Sequence, residues 1–517
     1  GGVSQFGCIF FLFLFHAGKI LAVFPVPSIS HQVVFRPFTQ ELVRRGHEVV
    51  IITTDPAFPK GKAPANLTEI DLHDSSYKLW RETFMQTKKT NKDDHLLQIE
   101  VILDAFANVV EQHFYNEEIK KLIADKKDYF DLVIIEACIR PALGYSHIFK
   151  APVILMSSFG ATRGNYEALG VPSHPFVYPN NLRQRLYNLT ILEKIQELYL
   201  LYSIGKVYER CELDVNNMLR KHLGPDTPSV EELYENVHML FLNVNPVFEG
   251  VRPVAPSVVY MGGLHQNPIK ELPKELKSYL DSSKNGAIYV SFGTNVDSSK
   301  LPAHKIEILV KVFSGLLYNV IWKWDDDNLP GRTENIRISK WWPQSDVLRH
   351  PNIKLFITQG GLQSTDEAIT AGVPLIGVPL LGDQWYNVEN YVKHGIGVKL
   401  DMGTFTAKML KDAIDTVIGD KTYRGNVVRL RGLMRDQPQR PLERAVWWTE
   451  HALRHGGAAH LRAPAANMPW TEYLELELVL VAMTVLLSFV LVFIAVLYCI
   501  YRCFLKSLLG RGKVKKN

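Results

Sequence analysis

The spacing of apolar and polar positions changes several times along the chain, and each change marks an element. "KILAVFPVP" (Lys19–Pro27) is an unbroken apolar run ended by prolines, the pattern of a strand buried on both faces. "HQVVFRPFTQELVRRGHEVVIITTD" follows with helical spacing, an Arg–Gly stop and a second apolar run. Strand, helix and strand in so short a stretch predict a βαβ unit with parallel strands. Asp131–Ala137 and Ala151–Ser158 are further short strands, and from there to Pro246 the chain reads as mostly helical and aromatic. After the Pro/Gly-rich "NPVFEGVRPVAPS", a second series follows: strands at Gly286–Thr294, Asn319–Trp324, Lys354–Thr358 and Pro374–Pro379. The pattern predicts an α/β protein of two doubly wound halves facing a cleft, with ligands outside the carboxyl ends of the strands.

The two ends follow another rule. "CIFFLFLF" (Cys8–Phe15) is too short to span a bilayer and is followed by the small residues Ala17 and Gly18, as in a signal-peptide core and cleavage region. The missing initiating Met and basic leader predict further residues upstream. Leu478–Tyr501 is uncharged, apolar and long enough to cross a membrane. Arg502, Lys506, Arg511, Lys513, Lys515 and Lys516 follow it, which places the tail in the cytoplasm and the bulk of the chain on the other side. The expected division is a leader over 1–18, a first domain over 19–245 and a linker over 246–265. A second domain then spans 266–435, C-terminal helices 436–477, the anchor 478–501 and a basic tail 502–517. Asn66-Leu-Thr and Asn188-Leu-Thr are glycosylation acceptors on the predicted non-cytosolic side. The final "KVKKN" reads equally as a dibasic retrieval signal or as a basic tail.

Composition narrows the partners. A chain of 517 residues exceeds what one core supports. A net charge of +5, without a basic stripe, argues against a nucleic-acid partner. Of the five cysteines, Cys8 lies in the leader and Cys499 and Cys503 in or beside the anchor. Cys138 and Cys211 alone fall between, so neither a disulfide framework nor metal-ligand spacing is present.

The candidate chemistry sits at strand ends. Ser30–His31 follows the first strand, and Glu136 ends another strand of the same sheet. A carboxylate there can orient an imidazole and stabilise its protonated form, although a lone His is more often structural and an acid at a helix start is common. Ser291 and Thr294 bracket "SFGT", a turn whose hydroxyls and N–H groups suit an anion. Gln359-Gly360-Gly361 is a second such turn, followed by a helix from Ser364 to Ala371 that Gly372 ends. Glu367 either closes a capping box with Ser364 or accepts a pair of hydroxyls such as those of ribose. Asp383 and Gln384 suit a polyol, and Trp341, upstream of Gln344, offers an aromatic face for a base. No P-loop and no complete Gly-x-Gly-x-x-Gly turn occurs, which removes support for NTPase and dehydrogenase readings. Aromatic plane, phosphate turn, ribose acceptor and polyol binder, in that order, describe a nucleotide-sugar site.

"WWPQSDVLRHPNIKLFITQGGLQSTDEAITAGVPLIGVPLLGDQ" resembles the signature of the UDP-glycosyltransferases, in the membrane-anchored UDP-glucuronosyltransferase branch of animals, with an invertebrate look. "FDLVIIEA", "GVRPVAPSVVYMGGLH" and "PLERAVWWTEHALRHGGAAHLR" extend the likeness nearly end to end. The resemblance implies a GT-B fold, an inverting transfer without metal or other cofactor, lipophilic acceptors and an endoplasmic reticulum anchor. It implies His31 as general base with Glu136 as its carboxylate partner, and Trp341 stacked on uracil beside Gln344. It further implies Glu367 on ribose, Ser291, Thr294 and Gln359–Gly361 on the diphosphate, Asp383 and Gln384 on the sugar, and Arg252 in donor binding. Two positions depart from the pattern: Glu136 replaces the usual Asp, and Gln359 replaces the His of a His-Gly-Gly turn, losing a cationic option while keeping an N–H donor. Glucose is favoured over glucuronic acid as the hexose, because a glucuronate carboxylate needs a cation that Gln359 does not supply. The contrasting expectation is a silent UDP-sugar-binding subunit in which the two departures have ended turnover. A metal-dependent transferase using Asp325-Asp326-Asp327 is a weaker third, since that triplet reads as a solvated turn. A homo-oligomer is left open.

Overall fold

The computed structural model describes residues 17–86, 95–266, 268–294 and 296–511. The apolar leader and the final "KVKKN" lie outside these. The first sheet contains β1 (Lys19–Phe24), β2 (Glu48–Thr53), β3 (Leu67–Asp71), β4 (Leu132–Glu136), β5 (Val153–Ser157), β6 (Val237–Leu242) and β7 (Val258–Tyr260), all parallel in the order β3-β2-β1-β4-β5-β6-β7. The second contains β8 (Ala287–Ser291), β9 (Asn319–Lys323), β10 (Ile336–Ser339), β11 (Ile353–Thr358), β12 (Leu375–Gly377) and β13 (Gly397–Lys399), again parallel, in the order β10-β9-β8-β11-β12-β13. Renumbered from β8, the latter is the 3-2-1-4-5-6 order of the Rossmann sheet.

Strand alternation explains why the runs are apolar on both sides. Leu21, Val23, Val133 and Ile135 point into one core, while Ile20, Ala22, Phe24 and Ile134 point into the other. The second core is closed by the helix Ile29–Arg44, through Val34, Phe35, Phe38 and Leu42. The helix Pro441–Arg454 adds Ala445, Val446 and Ala452 to the same face. The chain therefore returns to the first half after completing the second. Glu450 holds that return by accepting from Arg45 Nη1 at 3.2 Å, and Arg444 Nη1 donates to the Tyr260 carbonyl at 2.9 Å. In the second half, β8, β9 and β11 share one core with Leu309, Phe313, Leu410 and Ile414. Their opposite faces join the core that also lies under β1 and β4, so one apolar body runs across both halves.

Two expectations shift. The segment read as a linker over 246–265 contributes the short helix Pro246–Glu249 and then β7, paired with β6, so the chain leaves the first sheet only after Tyr260. The anchor prediction falls within the helix Leu476–Arg511, whose Leu476–Ser507 stretch holds an 18-residue window of mean hydropathy 3.0 that is not buried against the rest of the chain. It is long and apolar enough to cross a membrane.

Candidate active site

His31 lies in the first turn of the helix that follows β1, and Glu136 is the last residue of the adjacent β4. Parallel pairing of neighbouring strands brings their carboxyl ends together, and His31 Nδ1 donates to Glu136 Oε1 at 2.6 Å. Glu136 is 1% exposed, and its Oε2 accepts from the Val26 N–H at 3.2 Å. Both carboxylate oxygens are thus committed, His31 Nδ1 carries the proton, and Nε2 is left as the basic nitrogen. Phe159 meets the imidazole edge-on at 5.6 Å.

The donor residues converge at the carboxyl ends of β8, β11 and the following turns. Gly293, at φ +80°, sits in the turn after β8, and its N–H donates to Ser291 Oγ at 3.3 Å. A Cβ on Gly293 would collide with Gln359 Nε2, so the two predicted anion turns touch each other. Gln359 is buried, its Oε1 accepting from Thr358 Oγ1 at 3.0 Å, while Thr294 is exposed. Gly360, at φ +90°, lets the chain pass the helix Gln384–His394, where a Cβ would stand 2.5 Å from Val388 Cγ2. Gly361 caps the helix Leu362–Ala371.

This start corrects one alternative drawn from the sequence. Ser364 lies inside the first turn, so it is not an N-cap and no capping box forms with Glu367. Instead Gln344 Nε2 donates to Ser364 Oγ at 2.9 Å and to Glu367 Oε2 at 2.7 Å. Burial pushes the Glu367 carboxyl up, against the nearby charge of His265 and the bond from Gln344. Trp341, 66% exposed, keeps a ring face open.

Asp383 and Gln384 open the helix that follows β12. Asp383 Oδ2 accepts from Asn387 Nδ2 at 2.9 Å, and the same Nδ2 donates to the Gly360 carbonyl at 2.9 Å. Gln384 Oε1 accepts from the Leu380 and Leu381 N–H groups, both at 2.8 Å. Burial pushes the Asp383 carboxyl up, while the Asn387 bond and the charge of His31 work the other way. The halves are also stitched directly: Gln363 Nε2 donates to the Ser158 carbonyl at 3.0 Å, and Tyr386 OH to that of Glu249 at 2.7 Å.

Arg252 packs against the aromatic segment of the first half. Its guanidinium lies over Tyr166 at 4.3 Å and donates to the Pro179 carbonyl at 3.4 Å. It neighbours Glu249, a buried carboxyl that desolvation, offset by Arg252 and reinforced by Asp383, raises to about 7. Glu249 and Asn387 were missed in the sequence because neither sits in a motif; helical i, i+4 spacing brings Asn387 to Asp383, while Glu249 comes from a distant part of the chain. Asn66 Nδ2 donates to the Val43 and His47 carbonyls, both at 2.8 Å. Asn188 is exposed.

Donor atoms of His31, Glu136 and Cys138 lie within 4.8 Å of one another. They fit a metal poorly, because His31 and Glu136 already bond each other and burial beside Glu136 holds the Cys138 thiol protonated. The Asp325–Asp327 triplet also disperses: Asp325 bonds Ser298 and Lys323, and Asp327 pairs with Lys340 at 2.7 Å.

A family model, "UDP-glucoronosyl and UDP-glucosyl transferase", matches residues 18–513, and the chain belongs to that family. It is a UDP-glycosyltransferase. An ecdysteroid UDP-glucosyltransferase of Spodoptera littoralis nuclear polyhedrosis virus is 36% identical over 90% of this chain and 93% of its own length. UDP-glucosyltransferase 2 of Dactylopius coccus is 31% identical over 90% and 89%. Among solved structures, UDP-glucose: anthocyanidin 3-O-glucosyltransferase in complex with UDP matches with a TM-score of 0.58, at 15% identity, covering 84% of this chain and 99% of its own. The fold is therefore that of the GT-B glycosyltransferases.

Proposed function

We propose that this enzyme transfers glucose from UDP-glucose to a hydroxyl of a small lipophilic acceptor, with inversion, in detoxification-type conjugation. His31 Nε2 takes the acceptor proton while Glu136 stabilises the imidazolium formed. The acceptor oxygen attacks the anomeric carbon, the bond to the diphosphate breaks, and UDP leaves. A general base of this kind contributes about 10²–10⁴-fold. Trp341 and Gln344 take the base, Glu367 the ribose, Ser291, Thr294 and the Gln359–Gly361 turn the diphosphate, and Asp383 and Gln384 the sugar. N–H groups at the turns and at the start of the helix stabilise charge on the leaving phosphate. No residue role in this cycle calls for a metal ion.

The observation that carries the reading is the His31 Nδ1–Glu136 Oε1 pair at 2.6 Å, which leaves Nε2 as the basic nitrogen at the carboxyl end of the first sheet. Glucose is supported by the names of the viral and insect relatives and by Arg252, whose contacts to Tyr166 and Pro179 draw it away from a glucuronate carboxylate. Those relatives make a polyhydroxylated steroid the first acceptor to test, with simple phenols beside it. The anchor holds the catalytic halves on the luminal face of the endoplasmic reticulum in this reading. Supplying UDP-glucose and UDP-glucuronic acid separately and weighing the products tests it. A hexose adduct from UDP-glucose is expected. A conjugate formed only from UDP-glucuronic acid overturns the donor, and UDP binding without release from either donor indicates the silent subunit.

A further inference from the structure

Three histidines meet on the outside of the molecule, where the return helix runs out towards the anchor. His451 lies in the last turn of the helix Pro441–Arg454, His455 follows that helix directly, and His460 sits in the short turn Ala459–Leu461. His451 Nε2 and His460 Nε2 stand 3.0 Å apart. Ring centroids are 4.6 Å apart for His451–His455, 5.3 Å for His451–His460 and 5.9 Å for His455–His460.

Those lengths match a shared ion. With metal–nitrogen bonds of about 2.0–2.1 Å, two nitrogens about 3.0–3.4 Å apart subtend the angles of a tetrahedral or square site. An ion bound so lies about 3.2 Å from each imidazole centre, which puts the centroids of three ligating rings about 5 Å apart. His455 is exposed, and its side chain has to turn from the position shown to bring a ring nitrogen to the same point.

The frame is rigid. The Ala458 N–H donates to His238 Nδ1 at 3.0 Å and the Gly457 N–H to the Ala452 carbonyl at 2.7 Å. Gly457, at φ +116°, lies so close to His238 that a Cβ would collide with the ring. Arg462 Nη1 ties the end of the turn to the Glu235 carbonyl at 2.7 Å. Trp447 stacks on His451 at 5.5 Å, fixing that ring from behind. Burial and the charges of His455, His460 and Arg454 hold His451 neutral, the form that ligates. Without an ion the two Nε2 atoms share a proton in a hydrogen bond, so metal binding displaces that proton.

The geometry points to a divalent transition-metal site of His451, His455 and His460, suited to Zn²⁺, Cu²⁺ or Ni²⁺, with remaining positions open to water. Occupied, it clamps the end of the return helix to the turn that leads to the anchor. The test uses the full chain in detergent or nanodiscs, carrying no polyhistidine tag. Zn²⁺ is titrated by calorimetry, and Co²⁺ by its visible absorption. One ion per chain is expected, with binding weakened as added acid protonates the imidazole ligands. His451→Phe, which keeps a ring against Trp447, and His460→Ala should each weaken binding at least tenfold, with UDP affinity unchanged as the check on folding. His31→Ala should leave metal binding as it is. No saturable binding overturns the proposal. So does binding that survives in the His451→Phe, His460→Ala double variant, which would place the ion elsewhere, for instance at His31–Glu136–Cys138.

Discussion

Replacing Glu136 by Gln changes a single atom's chemistry in the centre of the proposed machinery. The native carboxylate accepts from two donors, His31 Nδ1 at 2.6 Å and the Val26 N–H at 3.2 Å, and it is 1% exposed. An amide has one acceptor oxygen and one donor nitrogen. If its oxygen serves Val26, its NH₂ faces Nδ1, which must then accept. The proton moves to Nε2, and the base is lost. If its oxygen serves His31, the NH₂ confronts the Val26 N–H and leaves buried donors unpaired, at about 1–3 kcal/mol of stability. The charge-assisted bond to the imidazolium is lost either way, and such bonds contribute about 1.5–3 kcal/mol, or about 10–150-fold in rate. Glu136→Gln should therefore lose at least about tenfold in kcat, read as UDP released under saturating donor and acceptor, with its Kd for UDP unchanged. Glu136→Asp, which keeps both acceptors, should retain part of the turnover. Wild-type kcat together with an unchanged Tm in Glu136→Gln would refute the reasoning.

Gly293→Ala should displace the Gln359 amide that its Cβ would strike and strain a φ of +80°; weaker UDP binding by calorimetry is expected, as for Gln359→Ala, while Gln359→His should be tolerated. Glu249 titrates at about 7 in the folded protein against about 4.5 unfolded, so its stability contribution is full below about 4.5 and is lost as pH rises through about 7. Glu249→Gln should then raise the Tm above pH 7, and the gap should close near pH 4.5. Asn66→Ala should lower the Tm, because its amide holds two backbone carbonyls, whereas Asn188→Gln should shift the mobility of protein expressed through the secretory pathway.

The centres of both sheets were legible because parallel strands covered on both faces are unbroken apolar runs, and β1, β4 and β8 lie within the expected spans. Five strands were not. β7 and β13 have three residues each, β3 is an edge strand with only Leu67 and Ile70 buried, β10 is short, and β6 was absorbed into a helical, aromatic stretch. The Ser364-x-x-Glu367 spacing was ambiguous for a physical reason: Gly361 already provides the extended residue that starts the helix, which leaves Glu367 free for Gln344. Motif residues at strand ends were readable singly, but Glu249 acquires meaning only when the two halves meet, through its carbonyl bond from Tyr386.

The central claim is that His31, in one half, activates the acceptor while the other half alone holds UDP. Measuring kcat and the UDP Kd of His31→Ala on the same preparation tests it most directly. The prediction is a kcat lower by about 10²–10⁴-fold with a UDP Kd within about twofold of wild type. Near-normal turnover would contradict it.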